Sequence, residues 1–204
     1  MRQNGGGTDP NDILLFSYLA RHRYRENRRA FTIFQKVPYP TYFVEDGAGD
    51  RDTLEQELHA EYRPARRGRC WLKRSENPYW QPNPLAFRGQ VYLLIGPAVA
   101  SAGSLFASFV RSQRGPVIIG QETMGGYYGH TGHTPVEYQL PATGIRVKFS
   151  IVDLRQDVRR SPRFPHGRGV LPDYQVSQSL TDFIHNRDTV LQTALQLIWQ
   201  PARR

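Results

Sequence analysis

The sequence predicts an α/β protein with a mixed sheet and flanking helices, and three observations carry that prediction. Residues 91–95 (VYLLI) and 116–119 (PVII) are short apolar runs with the length and composition of buried strands. Between them an apolar pattern of helical period takes over from Ala102, with Leu105, Phe106, Phe109 and Val110 on one face. Farther on, residues 136–140 and 145–152 flank Pro141-Ala142-Thr143-Gly144, which is hairpin chemistry, and helical patterns close the chain. Buried strands alternating with helices, followed by a hairpin, make a mixed sheet.

The elements follow in order. Residues 2–8 form a glycine-rich entry centred on Gly5, Gly6 and Gly7. Asp9 as N-cap and Pro10 at the first helical position predict a helix over 11–21, with Ile13, Leu14, Phe16 and Leu19 as its stripe. Residues 31–37 (FTIFQKV) read as a strand ended by Pro38 and Pro40, and 42–44 as a short extended piece before an Asp46-Gly47 turn. A surface helix is predicted over 52–62, where Thr53 and Gln56 have capping-box spacing. Residues 63–88, basic and rich in Pro, Trp and Asn, read as an irregular surface excursion. The strand at 91–95 stops at Gly96-Pro97, and small residues alone, Ala100-Ser101-Ala102-Gly103-Ser104, lead into the central helix. Gly120 closes the second strand, and 121–133 is a glycine-rich loop. In the hairpin, Ile145, Val147, Phe149 and Ile151 alternate with Arg146, Lys148 and Ser150, so one face is expected buried and the other wet. Residues 155–169 are polar and irregular. Helices are predicted over 180–186 and 188–199, the second with Val190, Leu191, Ala194, Leu195 and Ile198 as its core stripe.

Composition narrows the function classes. The chain of 204 residues, 39% hydrophobic and 22% charged, is expected to form a single catalytic-type domain over 1–204 with the basic excursion at about 63–88. No apolar run approaches the ~20 residues that span a bilayer. One cysteine, Cys70, excludes an internal disulfide or a multi-cysteine metal site and reads as a half-buried packing residue. The formal charge of +9 is dispersed over short runs such as 21–29 and 63–74, without a nucleic-acid motif, so nucleic acid is not expected as the primary partner. No Gly-Lys-Ser/Thr loop is present and no Gly-x-Gly-x-x-Gly follows a strand, so no nucleotide cofactor is expected. His130 and His133, with no acid cluster beside them, fall short of a three-ligand metal site.

The chemistry concentrates at Ser101. A strand, a tight small-residue turn and a helix present its hydroxyl at a helix N-terminus, where free N–H groups favour developing negative charge. From the residues alone two readings stand, an N-cap and a nucleophile. The Gly5–Gly7 loop likewise serves either as a source of oxyanion donors or as an anion-binding nest.

The order of the segments resembles the tail-specific (C-terminal processing) serine protease family. The resemblance rests on Arg2-Gln3-Asn4-Gly5-Gly6-Gly7, Gly89 through Ile95, and Ala100 through Phe106. Val117 through Thr123, Leu140-Pro-x-x-Gly144 with Ile145-Arg146-Val147, and Gly169 through Asp173 continue it. It covers most of the chain and is weakest over about 24–85. The resemblance implies a Clp-protease/crotonase-like fold, serine peptidase activity on polypeptide substrates, and no cofactor. It implies Ser101 as nucleophile, the Ala102 N–H as one oxyanion donor, and the N–H of Gly6 or Gly7 as the second.

One departure stands out. The best-known members carry a lysine base in the loop after the second strand, and here Gly126 occupies that position. The Glu122-Thr123-x-Gly125-Gly126-Tyr127 stretch is instead similar to the tricorn-like and interphotoreceptor-retinoid-binding-protein-like branch, whose tricorn-like members take a histidine base from an N-terminal segment. The chain is therefore expected to be the C-terminal portion of a longer protein, extracytoplasmic if the whole carries a signal segment. His130 and His133 are the local candidate bases, with Glu122 to orient one; their other reading is polar loop residues. A non-catalytic ligand- or peptide-binding module on the same fold is the alternative, and oligomers are compatible with either.

Overall fold

The computed structural model describes residues 1–7, 10–45, 50–130 and 132–199. In chain order its elements are α1 (Asn11–Ser17), β1 (Asn27–Thr32), α2 (Arg51–Glu61), β2 (Tyr62–Pro64), β3 (Cys70–Leu72) and β4 (Tyr92–Ile95). They continue with α3 (Ser101–Ser112), β5 (Val117–Gly120), β6 (Pro135–Gln139), β7 (Arg146–Ser150) and β8 (Asp153–Gln156). The last are β9 (Tyr174–Gln175), α4 (Leu180–Ile184) and α5 (Thr189–Trp199). The chain divides into two compact units, one of residues 1–24, 80–128 and 158–204, the other of residues 25–79 and 129–157.

The first unit is a helix–sheet–helix sandwich. Its parallel sheet runs in the order β4-β5-β9, with Leu93 opposite Ile118 and Ile119 opposite Tyr174. The pleat sorts the strand residues onto two faces. Leu93, Ile95 and Ile118 join Ile13 and Phe16 of α1 and Leu105, Phe106, Phe109 and Val110 of α3 in one cluster. Tyr92, Leu94, Val117 and Ile119 pack on the other face against Val190, Ala194 and Leu197 of α5. Phe16 stacks on Phe109 at 5.1 Å and meets Tyr24 edge-on at 4.7 Å, pairs that each add about 0.5–1.5 kcal/mol beyond area burial.

The second unit holds an antiparallel sheet in the order β2-β3-β1-β8 and the separate hairpin β6–β7. Its core joins Ala30, Leu54, Leu58, Tyr62, Val136, Ile151 and Leu154 with Cys70, which is fully packed rather than half-buried and accepts from Gln35 Nε2 at 3.3 Å. Part of the basic run 21–29 is paired within this unit: Arg25 and Arg28 both reach Asp157, and Arg29 reaches Asp153.

Several boundaries differ from the sequence expectation, each for a packing reason. The first strand lies at 27–32 instead of 31–37, because pairing with β3 and β8 selects that register and Phe34 N then bonds back to Thr32 Oγ1. The first helix ends at Ser17, where Leu19 N and Ala20 N both turn onto Phe16 O, and Leu14 faces outward. For α2 the cap is Asp50, which accepts from Thr53 N at 2.9 Å, so Thr53 is inside the helix. The stretch 63–88 is mostly irregular but supplies most of β2 and all of β3. Residues 153–156 form β8, partly within the stretch expected to be irregular. Val147 and Phe149 are 43% and 41% exposed although their β6 partners Tyr138 and Val136 are buried, so the β7 half of the hairpin's apolar face is only partly covered among the described residues. In α5 the buried line is Val190, Ala194 and Leu197, with Leu191 and Ile198 outside. The expected Asp9 cap and Asp46-Gly47 turn lie outside the described residues.

Candidate active site

The site is built at the end of β4. After Ile95 the chain turns at Gly96, with Val99 N bonded to Gly96 O, and Val99 is fully buried. Ala100 is extended at φ −140°, and Ser101 opens α3 with φ +47°. A serine in the left-handed region is strained, by about 1–3 kcal/mol, and persists only where its surroundings over-determine it. Those surroundings are on hand. Ser104 Oγ donates to Val99 O at 3.0 Å, Gly125 N donates to the same oxygen at 3.1 Å, and Ala100 N donates to Asn4 O at 3.1 Å. The cap position of α3 is Ala100 and makes no side-chain cap bond, so the reading of Ser101 as N-cap does not hold. Its side chain is exposed.

The glycine-rich entry lies directly against this serine. Gly6 has φ +120°, and a Cβ added there would sit 2.6 Å from Ser101 Cβ and 3.1 Å from Ser101 Oγ. No side chain fits, so the backbone itself comes up to the hydroxyl. Asn4 shapes the loop: its Oδ1 accepts from Gly6 N at 2.9 Å, and its carbonyl lies close enough to Gly103 to leave no room for a Cβ. Gly6 N is thus occupied. The N–H groups of Gly7 and Ala102 have no hydrogen-bond partner among the described residues.

Gly6, Gly7, Ala102, Gly103 and Phe106 line a cleft of about 260 Å³, and Asp12 of α1 forms part of its wall. Asp12 is buried at 6% exposure. Burial, with the Asp12 charge beside it, pushes the Tyr24 phenol up to about 12. Nothing in the sequence marks Asp12 except its place in the first turn of a helix; only the packing of α1 on α3 brings it to the cleft.

The loop after β5 forms the far wall of the turn. A Cβ on Gly125 would fall 2.5 Å from Ser104 Cβ, so only glycine lets the loop touch the helix start. Thr123 Oγ1 donates to Gly125 O and accepts from Val170 N, each at 2.8 Å, and Gly126 bridges to Gly169. Glu122 takes both nitrogens of the Arg168 fork, at 2.8 and 2.5 Å, and accepts from Gly169 N. The Arg168 guanidinium holds its carboxyl below the usual range. Glu122 therefore serves as an anchor between 122 and 168–169.

Ser101, Gly6, Gly7 and Ala102 are brought together in the first unit. His130 and His133 belong to the second unit, where His133 Nε2 lies 2.8 Å from the Tyr62 hydroxyl and 3.6 Å from the Glu61 carboxylate, and His130 Nδ1 accepts from Gly132 N. Among the described residues no side chain hydrogen-bonds Ser101 Oγ. No group of three His, Cys, Asp or Glu among them could hold a metal ion, and none of their helices is long and apolar enough to cross a membrane.

Comparison with known proteins gives the family and the fold of the chain. A profile of peptidase family S41 matches residues 1–176. A structure from Parabacteroides merdae, assigned as a peptidase, is 20% identical, with a TM-score of 0.57 over 98% of this chain and 50% of its own. An S41 protease assignment from Bacteroides fragilis gives 16% identity and a TM-score of 0.50 over 97% of this chain and 43% of its own. Mature CPAF, solved in complex with lactacystin, gives 13% and 0.55 over 96% and 41%. At these identities the likeness is one of fold, and the chain spans half the length of those structures or less. No curated protein matches the sequence.

Proposed function

Because the chain belongs to peptidase family S41, we propose that it carries the nucleophile and the oxyanion donors of a serine peptidase acting on polypeptides. The observation that supports this most directly is the strained, exposed Ser101 at the first position of α3, with Gly6 so close to its side chain that no Cβ fits between them. In this reading Ser101 Oγ attacks the scissile carbonyl carbon and its proton passes to a base. The carbonyl π electrons move onto oxygen, and the oxyanion accepts from the N–H groups of Ala102 and Gly7. Gly7 is preferred to Gly6 as second donor because Gly6 N already serves Asn4. Collapse expels the amine, which takes the proton from the base and leaves an acyl-enzyme on Ser101. Water, giving a proton to the same base, then hydrolyses that ester.

The base is the open position. Gly126 removes the family's lysine, and Glu122 is tied to Arg168 and Gly169, which suits it to holding the loop rather than receiving a proton. This reading assigns the base to a segment outside this chain, with His130 and His133 as the local alternatives.

Labelling with a fluorophosphonate tests the proposal. The chain is expected to label at Ser101, slowly at neutral pH and faster with rising pH or added imidazole, since a base contributes about 10²–10⁴-fold. Ser101→Ala should abolish labelling; equal labelling of both removes Ser101 from the mechanism. A tenfold loss in His130→Ala or His133→Ala would make the base local. Failure of the native chain to label even with imidazole would favour a non-catalytic binding module.

A further inference from the structure

Away from the serine, at the opposite end of α3, the first unit carries an open cleft of about 660 Å³ whose wall holds four arginines, Arg111, Arg114, Arg159 and Arg163. A single carboxylate, Asp173, lines it with them. That carboxylate is fully engaged. Its Oδ2 accepts from Arg111 Nη1 at 2.6 Å and from Ile118 N at 2.9 Å, and its Oδ1 accepts from Arg163 Nη1 at 3.2 Å. Three positive charges are left in excess.

The arginines divide into two kinds. Arg111 and Arg163 are fixed in place: Arg111 lies over the Phe164 ring at 5.1 Å, and Arg163 also donates to Pro172 O at 3.1 Å. Arg111 Nε is buried with no hydrogen-bond partner among the described residues. Arg114 and Arg159 stand exposed at the rim, and their guanidinium groups make no hydrogen bond or ion pair among the described residues. The Arg159 backbone is held by Ser112 Oγ, which keeps that side chain at the cleft. Like charges gathered around one shared acid repel one another, and an anion entering the cleft relieves that repulsion.

We propose that this cleft binds an acidic polypeptide segment, an interaction site separate from Ser101 and independent of the peptidase reading. The planar guanidinium fork takes a carboxylate or a phosphate in bidentate geometry, and two observations favour an acidic peptide over a nucleic acid or a lone phosphate. The cleft is open and far larger than one phosphate needs, and it sits beyond the C-terminal end of α3, whose carbonyls offer no N–H cradle. Finally, Tyr174 joins the cleft to β9, the edge strand of the sheet, where an extended chain can add main-chain bonds that a nucleic acid cannot.

Fluorescence anisotropy with labelled hexaglutamate tests the proposal on the full chain. Hexaglutamate is expected to bind with an affinity that falls as salt rises, and Arg114→Ala/Arg159→Ala to weaken it on the order of tenfold. Both residues are exposed, and circular dichroism checks that the double variant remains folded. Arg66→Ala/Arg74→Ala removes the same charge elsewhere and is expected to leave binding unchanged. Equal loss in the two double variants would reduce the effect to net charge and overturn the proposal. Tighter binding of a labelled hexauridylate, or displacement of hexaglutamate by inorganic phosphate at equal total charge, would overturn it as well.

Discussion

At the scale of single residues, Ser101 and Gly6 are a coupled pair. One is a non-glycine residue held at φ +47°, the other a glycine that admits no side chain because the first is there. The strain at Ser101 opposes folding and is held by Asn4, Ser104 and Gly125 around it. Replacing Ser101 by glycine removes the left-handed penalty without filling space. Ser101→Gly is therefore expected to raise stability by about 1 kcal/mol, or about 2–4 °C in Tm for a chain of this size, while abolishing fluorophosphonate labelling. Thermal scans beside the Ser101→Ala variant separate the backbone effect from loss of the hydroxyl. A lower Tm for the glycine variant than for the alanine variant would mean that the φ of Ser101 stores no strain.

Among elements, the loop that follows β5 is held to residues 168–170 by the Gly126–Gly169 bridge and by polar contacts at Glu122 and Thr123. The Glu122–Arg168 pair and the Thr123–Val170 bonds join it to residues 168–170. Since the folded carboxyl of Glu122 lies below its ordinary value of 4.5, the pair contributes stability that is complete above about that pH. The contribution is lost as pH falls through the lower, folded value. Asp188, held low by its hydrogen bonds from Arg2, behaves in the same direction. Urea titrations of native chain and Glu122→Gln should differ at neutral pH and converge as the pH falls below 4.5. A constant gap across that range would show that Glu122 acts through shape alone. Both side chains of the Glu122–Arg168 pair are exposed to solvent, so screening keeps the neutral-pH difference small.

Over the whole molecule, each unit is built around its own core. In the first unit α3 is buried over residues 103–110, between the α1 helix and the parallel sheet. Phe109 sits in the centre of that cluster, 2% exposed and in contact with Phe16 and Tyr24. Phe109→Ala is expected to cost about 3–5 kcal/mol in urea unfolding, the sum of lost transfer energy and a cavity. Val147→Ser, at a half-exposed position of β7, should stay within about 0.5 kcal/mol. A large loss at Val147 would mean that something covers that face in solution. The arginines follow the same division: those at 25–29 are consumed by local acids, whereas Arg114 and Arg159 leave the first unit with unspent positive charge.

The sequence by itself determined the α/β class, the two apolar strands on either side of the central helix, that helix and the place of Ser101 at its start. These are written in local periodicity and in the small residues of one turn, which no distant contact alters. It also marked Gly126, where the expected lysine is missing. Only the tertiary structure decided the rest. The register of β1, the strands hidden in 62–72 and the face that α5 buries depend on partners far away in the chain, and propensity carries no information about them. Likewise, which glycine keeps a free N–H, that Asp12 walls the cleft, and that four arginines line one cleft with a single aspartate are outcomes of packing. A side chain's chemistry is local, but the neighbours that direct it are assembled only when the cores close.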